Sequence, residues 1–217
     1  MKYYPVNLNV RDRCCLVVGA GAVGARKAAV LLSCGAKVRV VSPEISDAVS
    51  HMVLENRIFL ERRSYQEADI YDVFLVFAAT DNTELNQRIY EDARRHGKLC
   101  NIADHPELCD FTLPAVIERG DLMIAVSTSG KSPAYARWIR QRLETQFGPE
   151  HAELLQLLGG IRRQIQQRAG DSEGQRRIFE YLMEHGLLEH VKNKDRQQID
   201  KLLASVLGAL VKSQISD

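Results

Sequence analysis

The sequence has no excess of charge of either sign and no long apolar run. Its 217 residues include 29 basic and 28 acidic ones, so the formal net charge is +1. A balanced chain produces no overall field that would recruit nucleic acid. The longest apolar run, residues 73–79, is far below the ~20 residues that a membrane-spanning helix needs. We therefore expect no nucleic-acid partner and no membrane partner.

Cysteine and histidine do not occur in the patterns that bind metals or form disulfides. The five cysteines are an odd set without a Cys-x-x-Cys pair, and the six histidines show no His-x-x-His or His-x-x-x-His spacing. This pattern argues against a disulfide framework or a zinc site and favours reduced thiols. The first residues, Met1 to Pro5, lack the apolar core of a signal peptide. We expect a cytoplasmic protein with no resident metal.

The chain is organised around residues 14–24, where an apolar strand enters a Gly-x-Gly-x-x-Gly turn. A helix to Ser33 and a second strand at residues 37–41 complete the context in which this motif binds a dinucleotide. Gly19 permits the tight turn, Gly21 lets a pyrophosphate approach the backbone, and Gly24 lets the helix pack on the strand. With Ala22 and Val23 they form the predicted NAD site. The alternative is a glycine turn without a nucleotide.

The end of the second strand bears on the choice between NAD and NADP. In NAD-binding folds an acidic residue near this point accepts hydrogen bonds from the adenosine ribose. Here Ser42 occupies the predicted strand end, with Pro43 and then Glu44 following. No arginine comes directly after the strand to hold a 2′-phosphate. We therefore expect NAD to be the cofactor, with Ser42, Pro43 and Glu44 near its ribose.

The remaining periodicity predicts an α/β fold, a Rossmann-type parallel sheet over residues 1–113. Strands are expected at 6–10, 57–61, 72–79 and 98–102, with a loop or helical turn at 65–71 and a helix at 82–96. Ligands of such sheets bind at the carboxyl ends of the strands. On topology alone, Thr80 and Asp81 then lie in the cofactor crevice.

Beyond residue 113 the composition changes. Strands are predicted at 111–114 and 122–126 and a helix at 133–147, and everything from residue 150 onward has helical periodicity. This divides the rest into a small α+β segment at 114–149 and a helical domain at 150–217. The last helices have little chain with which to make a large core alone. We expect them to dock on the rest of the molecule or on a second subunit.

One carboxylate is a candidate catalytic group. Asp104 follows the strand at 98–102, where a base could remove a proton while a hydride leaves. A second interpretation is that Asp104 only caps the turn before Pro106. The position of the residue alone does not favour either interpretation. His105 is a rival acid or base, although a lone loop histidine is more often simply exposed.

A second candidate is the hydroxyl-rich loop before the helix at 133–147. Ser127, Thr128, Ser129 and Ser132, together with Gly130 and Lys131, precede the positive end of that helix and suit carboxylates. Arg119 and Arg137 could add charge for a substrate rich in carboxylates. The alternative is a well-capped helix with a solvated charged face.

These motifs together resemble the precorrin-2 dehydrogenase family, which includes the amino-terminal module of multifunctional sirohaem synthases. The resemblance covers nearly all of residues 1–150 and continues more loosely beyond. The blocks that carry it are residues 4–13, 17–24 with 26–28, 78–81 with Asn86, Asn101 with Asp104, Phe111 with Pro114, 125–133 and 136–137.

The resemblance implies oxidation of precorrin-2, a tetrapyrrole rich in carboxylates, to sirohydrochlorin with NAD. It implies a homodimer whose substrate lies between the NAD domain and the Ser-rich segment, so residues 114–149 would also serve dimerisation. The key aspartate falls on Asp104, and Asn101 joins the cofactor site. Some relatives also insert ferrous iron, which leaves a bifunctional ferrochelatase open. A methyltransferase module is expected to be absent. An alternative from a different class of function is a non-catalytic NAD-sensing module, which would need only the glycine turn.

Overall fold

The computed structural model of the chain describes residues 2–55, 57–103, 105–168 and 172–213. The chain forms two compact units, Met1–Leu113 and Pro114–Asp217. The predicted α/β class is confirmed, with a parallel sheet in the first unit and a small antiparallel sheet followed by helices in the second. Whether 114–149 and 150–217 are separate domains stays a prediction.

The first unit is a parallel sheet in the order β3-β2-β1-β4-β5. Its strands are β1 (Cys14–Ala20), β2 (Lys37–Ile45), β3 (Ile58–Glu61), β4 (Leu75–Ala78) and β5 (Leu99–Ile102), and its helices are α1 (Ala22–Ser33), α2 (Asp47–Leu54) and α3 (Thr83–Arg95). Short 3-10 helices lie at Glu67–Ile70 and Pro106–Leu108. The prediction contained no helix in the place of α2.

Strand β1 shows why its sequence is apolar without interruption. Side chains alternate between the two faces of a strand. Val17 packs into one apolar cluster with α1, whereas Leu16 and Val18 pack into another with α3. Because both faces of the sheet are covered, every position of β1 after Cys14 is buried.

Two predicted strands are wrong. Residues 6–10 form no strand, and Val6 and Leu8 are 60% and 42% exposed. The strand that follows them, β1, is already paired on both sides by β2 and β4, so it cannot form a hairpin with them. The segment 111–114 is not a strand either. Phe111 instead packs edge-on against Phe77, with ring centroids 5.5 Å apart.

The second unit begins with an antiparallel hairpin and continues in helices. Its elements are β6 (Ala115–Arg119), β7 (Leu122–Val126), α4 (Pro133–Gln146), α5 (Glu150–Arg168), α6 (Ser172–Glu184), α7 (Leu187–Lys192) and α8 (Arg196–Ser213). The helices share an apolar core, in which Leu154, Leu182, Leu187 and Ile199 are almost fully buried. Their docking on the rest of the molecule or on a second subunit stays a prediction. No helix among the described residues is long and apolar enough to cross a membrane.

Candidate functional site

The glycine turn is held by backbone contacts rather than by side chains. A Cβ on Gly24 would overlap the carbonyl oxygen of Gly19 and lie 2.9 Å from its carbonyl carbon. At Gly19, where φ is +99°, a Cβ would lie 2.7 Å from the carbonyl carbon of Ala79. Around Gly21, however, nothing lies within 4 Å of that position. The turn is therefore closed on its inner side and open at Gly21.

Helix α1 begins at this turn without any neutralising group. Gly21 is its N-cap and provides no side-chain hydrogen bond, and no acidic residue lies in the first turn. The first N–H groups of a helix have no partner within the helix, and the dipole makes this end positive. These are the properties of an anion-binding helix terminus.

The carboxyl end of β2 differs from the prediction. The strand does not end at Ser42 but continues to Ile45, and the pairing with β1 shifts, because Val41 pairs with Val18 and Ile45 with Ala20. The segment Ser42–Glu44 is therefore a bulge beside the end of β1. Ser42 is buried, and its hydroxyl donates to the Glu44 carbonyl oxygen at 2.6 Å. Pro43 and Glu44 remain exposed.

The carboxyl end of β4 lies next to that of β1 at the same edge of the parallel sheet. The Thr80 hydroxyl donates to Asn86 Oδ1 at 2.7 Å, and Asn86 Nδ2 donates back to the Thr80 carbonyl oxygen at 2.9 Å. Asn86 is 4% exposed, so it fixes this turn from inside. Asp81 is exposed. The structuring role of Asn86 was not predicted, although a polar residue one turn into a helix after a buried strand could have indicated it.

Asn101 lies at the end of β5 with both polar atoms of its side chain bonded. Its Nδ2 donates to the Phe111 carbonyl oxygen at 2.9 Å, and its Oδ1 accepts from Lys27 Nζ at 3.3 Å. The residue is 7% exposed. These two bonds connect Asn101 to α1 and to Phe111, which follows the loop after β5. The sequence did not reveal this role. Asp104, the candidate base, lies outside the described residues.

Cys109 and His105 also belong to the loop that follows β5. Burial raises the pKa of the Cys109 thiol, although the Ile102 amide and Lys27 act in the opposite direction. The thiol accepts from the Ile102 N–H at 3.2 Å and lies 3.3 Å from the carbonyl oxygens of Ile102 and His105. His105 Nδ1 is 3.1 Å from the exposed Glu107 carboxylate. Cys109 is thus a protonated packing group that joins the two ends of the loop.

In the second unit, the Ser-rich loop is bonded to itself. The Thr128 hydroxyl donates to the Ser132 carbonyl oxygen at 3.0 Å and accepts from the Ser132 N–H at 3.2 Å. Ser132 is the N-cap of α4, as predicted, and accepts from the Tyr135 N–H at 3.2 Å. Ser129 adopts φ +54°, a left-handed conformation that costs energy outside glycine. The loop is therefore held in one shape.

The basic residues around this loop differ in availability. Lys131 and Arg137 are exposed. The Arg119 guanidinium instead donates to two carbonyl oxygens, those of Phe147 at 2.9 Å and Glu118 at 2.8 Å. Arg119 therefore joins β6 to the end of α4. Among the described residues, no group of three or more His, Cys, Asp or Glu side chains is placed to hold a metal ion.

An apolar cavity lies elsewhere in the second unit, between α5 and α6. Its volume is about 420 Å³, and Leu158, Ile161, Phe179 and Leu182 are among its lining residues. None of the predicted site residues lines it. We therefore assign two separate candidate sites, one at the carboxyl edge of the parallel sheet in the first unit and one at the Ser-rich loop in the second.

Two protein families match this chain, one over the first of its two units and one within the second. Residues 6–115 match the family described as "Putative NAD(P)-binding", and residues 119–146 match the one described as "Sirohaem biosynthesis protein central". The siroheme synthase of Nitrosococcus oceani is 35% identical over 215 residues, 99% of this chain and 46% of that protein. That of Thioalkalivibrio sulfidiphilus is 36% identical over 189 residues, 87% of this chain and 39% of that protein.

The chain thus spans less than half the length of these curated relatives. Among solved structures, "SirC, precorrin-2 dehydrogenase" superposes with a TM-score of 0.75 at 24% identity. The match covers 92% of this chain and 100% of that one. The two therefore share a fold along nearly their whole length.

Proposed function

Because this chain belongs to the NAD(P)-binding family, we propose that it oxidises precorrin-2 to sirohydrochlorin with NAD. The observation that carries the proposal is the glycine turn, closed by backbone contacts and open at Gly21, before a helix with no acidic residue in its first turn. Relatives named siroheme synthase align along nearly the whole chain and support a tetrapyrrole substrate.

The edge of the sheet fits a dinucleotide. Residues 19–24 would hold the pyrophosphate through backbone N–H groups, and the exposed Pro43 and Glu44 would lie by the adenosine ribose. The Glu44 carboxylate would repel a 2′-phosphate, which favours NAD over NADP. Thr80, Asp81 and Asn101 would shape the rest of the crevice. When bound, NAD accepts the hydride that the substrate loses.

The oxidation also releases a proton, which needs an acceptor. We assign this role to Asp104, three residues after Asn101 in the loop that follows β5. A carboxylate at the carboxyl end of a strand is suited to take the proton from the tetrapyrrole as the hydride departs. The sequence position and the family resemblance support this assignment.

The Ser-rich loop is suited to the carboxylates of the substrate. Ser127, Ser129, Gly130 and Lys131 would bind them together with the N–H groups at the start of α4, which has no acidic residue in its first turn. Arg137 is exposed and can add a further charge. Thr128 and Arg119 would act by holding the loop and the hairpin, since their side chains are engaged there.

The test is absorbance during incubation of the pure protein with precorrin-2, with and without NAD. We expect sirohydrochlorin and NADH to form together, and only when NAD is present. Asp104→Asn should lower kcat by about 10²- to 10⁴-fold, the usual contribution of general base catalysis. Its affinity for NAD should not change.

The matched control is Glu107→Gln, an exposed carboxylate of the same loop. It should keep wild-type activity. Full activity in Asp104→Asn would contradict the assigned base. Binding of NAD without any NAD-dependent oxidation would instead favour a sensing module.

We also propose ferrous iron as a second substrate, because the aligned relatives are named siroheme synthases. The reaction with sirohydrochlorin is followed with ferrous iron added, against a protein-free control. Faster metal insertion than in the control is expected. An equal rate would limit the chain to the oxidation step.

Residues 114–149 are proposed to form a homodimer contact. On α4 the rings of Tyr135 and Trp138 stack at 5.7 Å and are 54% and 48% exposed, so the pair forms an aromatic surface that a second copy could cover. Light scattering should give twice the chain mass, and Trp138→Glu should give the monomer. Trp138 is the only tryptophan of the sequence, so its fluorescence reports the same contact.

A reducing compartment, the cytoplasm, is proposed as the place of action. All five cysteines are free thiols, and burial raises the pKa of Cys15 to about 11 and of Cys100 to about 12. Such thiols stay protonated and packed. Fractionation of cells that express the chain tests this location.

A further inference from the structure

The segment after β5 is closed at both ends by hydrogen bonds. The Cys100 N–H donates to Asp110 Oδ2 at 2.9 Å, and the Asp110 N–H donates to the Cys100 carbonyl oxygen at 3.0 Å. One residue further, Asn101 Nδ2 donates to the Phe111 carbonyl oxygen at 2.9 Å. Residues 100–101 are thus joined to 110–111, and the chain between them is a loop with fixed ends.

Lys27 connects this closure to the glycine-turn helix. It lies on α1, and its ammonium donates to Asn101 Oδ1 at 3.3 Å. Asn101 is 7% exposed, so water cannot readily replace a lost donor at that oxygen. The ammonium also stands 5.7 Å from the centre of the Phe77 ring, which itself contacts Phe111.

We propose that Lys27 is a positioning residue, which acts through Asn101 to hold the loop that carries Asp104. The effect of Lys27 on catalysis rests on the function proposed above. The effect of Lys27 on the loop is independent of that function. A displacement of about 1 Å at a reacting group can cost about 10²-fold in rate. The hydrogen bond from Lys27 to Asn101 would therefore couple the position of the base to the helix that holds the cofactor.

The loop is tested first, by hydrogen exchange of the Asp110 N–H. Lys27→Met keeps the length and the apolar stem of the side chain but removes the donor. We expect exchange at Asp110 to become about tenfold faster, because the closure opens more often. Lys27→Arg retains a donor and should restore most of the protection. Amides within α3 serve as the internal reference.

Arg26→Met is the matched control, because Arg26 is the exposed neighbour on the same helix. It should leave exchange at Asp110 unchanged. Activity is then compared across the variants. Lys27→Met should lower kcat for precorrin-2 oxidation by about 10- to 100-fold, with the Kd for NAD within about twofold, and Lys27→Arg should recover most of the rate.

The pathway through Asn101 is tested by combining Lys27→Met with Asn101→Leu. If Lys27 acts through Asn101, the double variant loses no more activity than the more affected single variant. Additive losses would overturn this pathway. Unchanged exchange in Lys27→Met would overturn the effect on the loop, and an unchanged kcat would overturn the positioning role. If the wild-type protein does not oxidise precorrin-2, both the proposed function and this catalytic role are overturned. The exchange data would still decide whether Lys27 holds the loop.

Discussion

Two helices of this chain begin at loops that were predicted to bind anions, and the loops are built by opposite means. At α1 the N-cap is a glycine without a side-chain bond, and the turn is held by close contact between backbone segments. At α4 the N-cap is Ser132, and the Thr128 hydroxyl bridges the loop. One loop excludes side chains, whereas the other depends on them.

This difference decides which groups remain for a ligand. At the glycine turn the structural role falls to the backbone of Gly19 and Gly24, so the N–H groups at the start of α1 face outward without competition from a side chain. In the Ser-rich loop three hydroxyls, those of Ser127, Thr128 and Ser132, already have backbone partners in the loop or at the start of α4. The ammonium of Lys131 is exposed and available.

The largest expected effect is that of Gly24→Ala on stability. The new Cβ would overlap the Gly19 carbonyl oxygen, which is backbone at the end of a buried strand and cannot move aside cheaply. We expect a loss of about 3 kcal/mol in the free energy of unfolding, as for severe overpacking. Denaturation in urea measures it.

Gly21→Ala is the control within the same turn. Its φ is −74°, and nothing lies within 4 Å of the added Cβ, so the expected loss of stability is below ~1 kcal/mol. Its affinity for NAD should nevertheless fall, because the methyl group would stand where the pyrophosphate approaches. Equal stability of the Gly24→Ala and Gly21→Ala variants would remove the distinction between a closed and an open side of the turn.

The glycine turn could be predicted because its signal is local. The spacing of Gly19, Gly21 and Gly24 after an apolar strand already contains the geometry of the turn. The bulge at Ser42–Glu44 could not be predicted, since it arises from pairing with β1 rather than from its own residues. The same limit explains the false strand at 6–10, where an alternating pattern has no neighbouring strand with which to pair.

An intermediate effect is expected from the cap of α4. Ser132→Ala should lower stability by about 1 kcal/mol, the usual cost of a lost N-cap. Ser127→Ala, which removes only an exposed hydrogen bond from the Ser129 N–H at 3.2 Å, should change it by less than ~0.5 kcal/mol. Thermal unfolding followed by circular dichroism compares the two.

Ser132→Asp separates capping from anion binding. Aspartate is also a good N-cap and suits the helix dipole, so stability should be retained. Its charge would, however, repel the carboxylates of a substrate, and we expect the KM for precorrin-2 to rise severalfold. An unchanged KM would contradict the assignment of this loop to substrate binding.

The Ser-rich loop shows where counting residues in a sequence is insufficient. Its hydroxyls were predicted as ligands for carboxylates, yet Thr128 bonds to both backbone atoms of Ser132. Arg119 was predicted as a substrate group for its charge, but it donates to the carbonyl oxygens of Phe147 and Glu118. A sequence gives the type and spacing of polar groups, whereas their partners depend on the folded loop.

Among the residues that hold the two loops, Thr128 has the smallest expected effect, and it distinguishes a structural hydroxyl from a binding one. Thr128→Val keeps the shape but removes the hydroxyl, and since the loop is only half-buried, we expect a loss of about 0.5 kcal/mol. Thr128→Ser keeps the hydroxyl and should restore both stability and KM. If Thr128 instead bound substrate directly, Thr128→Val would raise KM while stability stayed at the wild-type value. Unfolding and KM measured on the same three proteins distinguish these cases, because only a hydroxyl that holds the loop changes both quantities together.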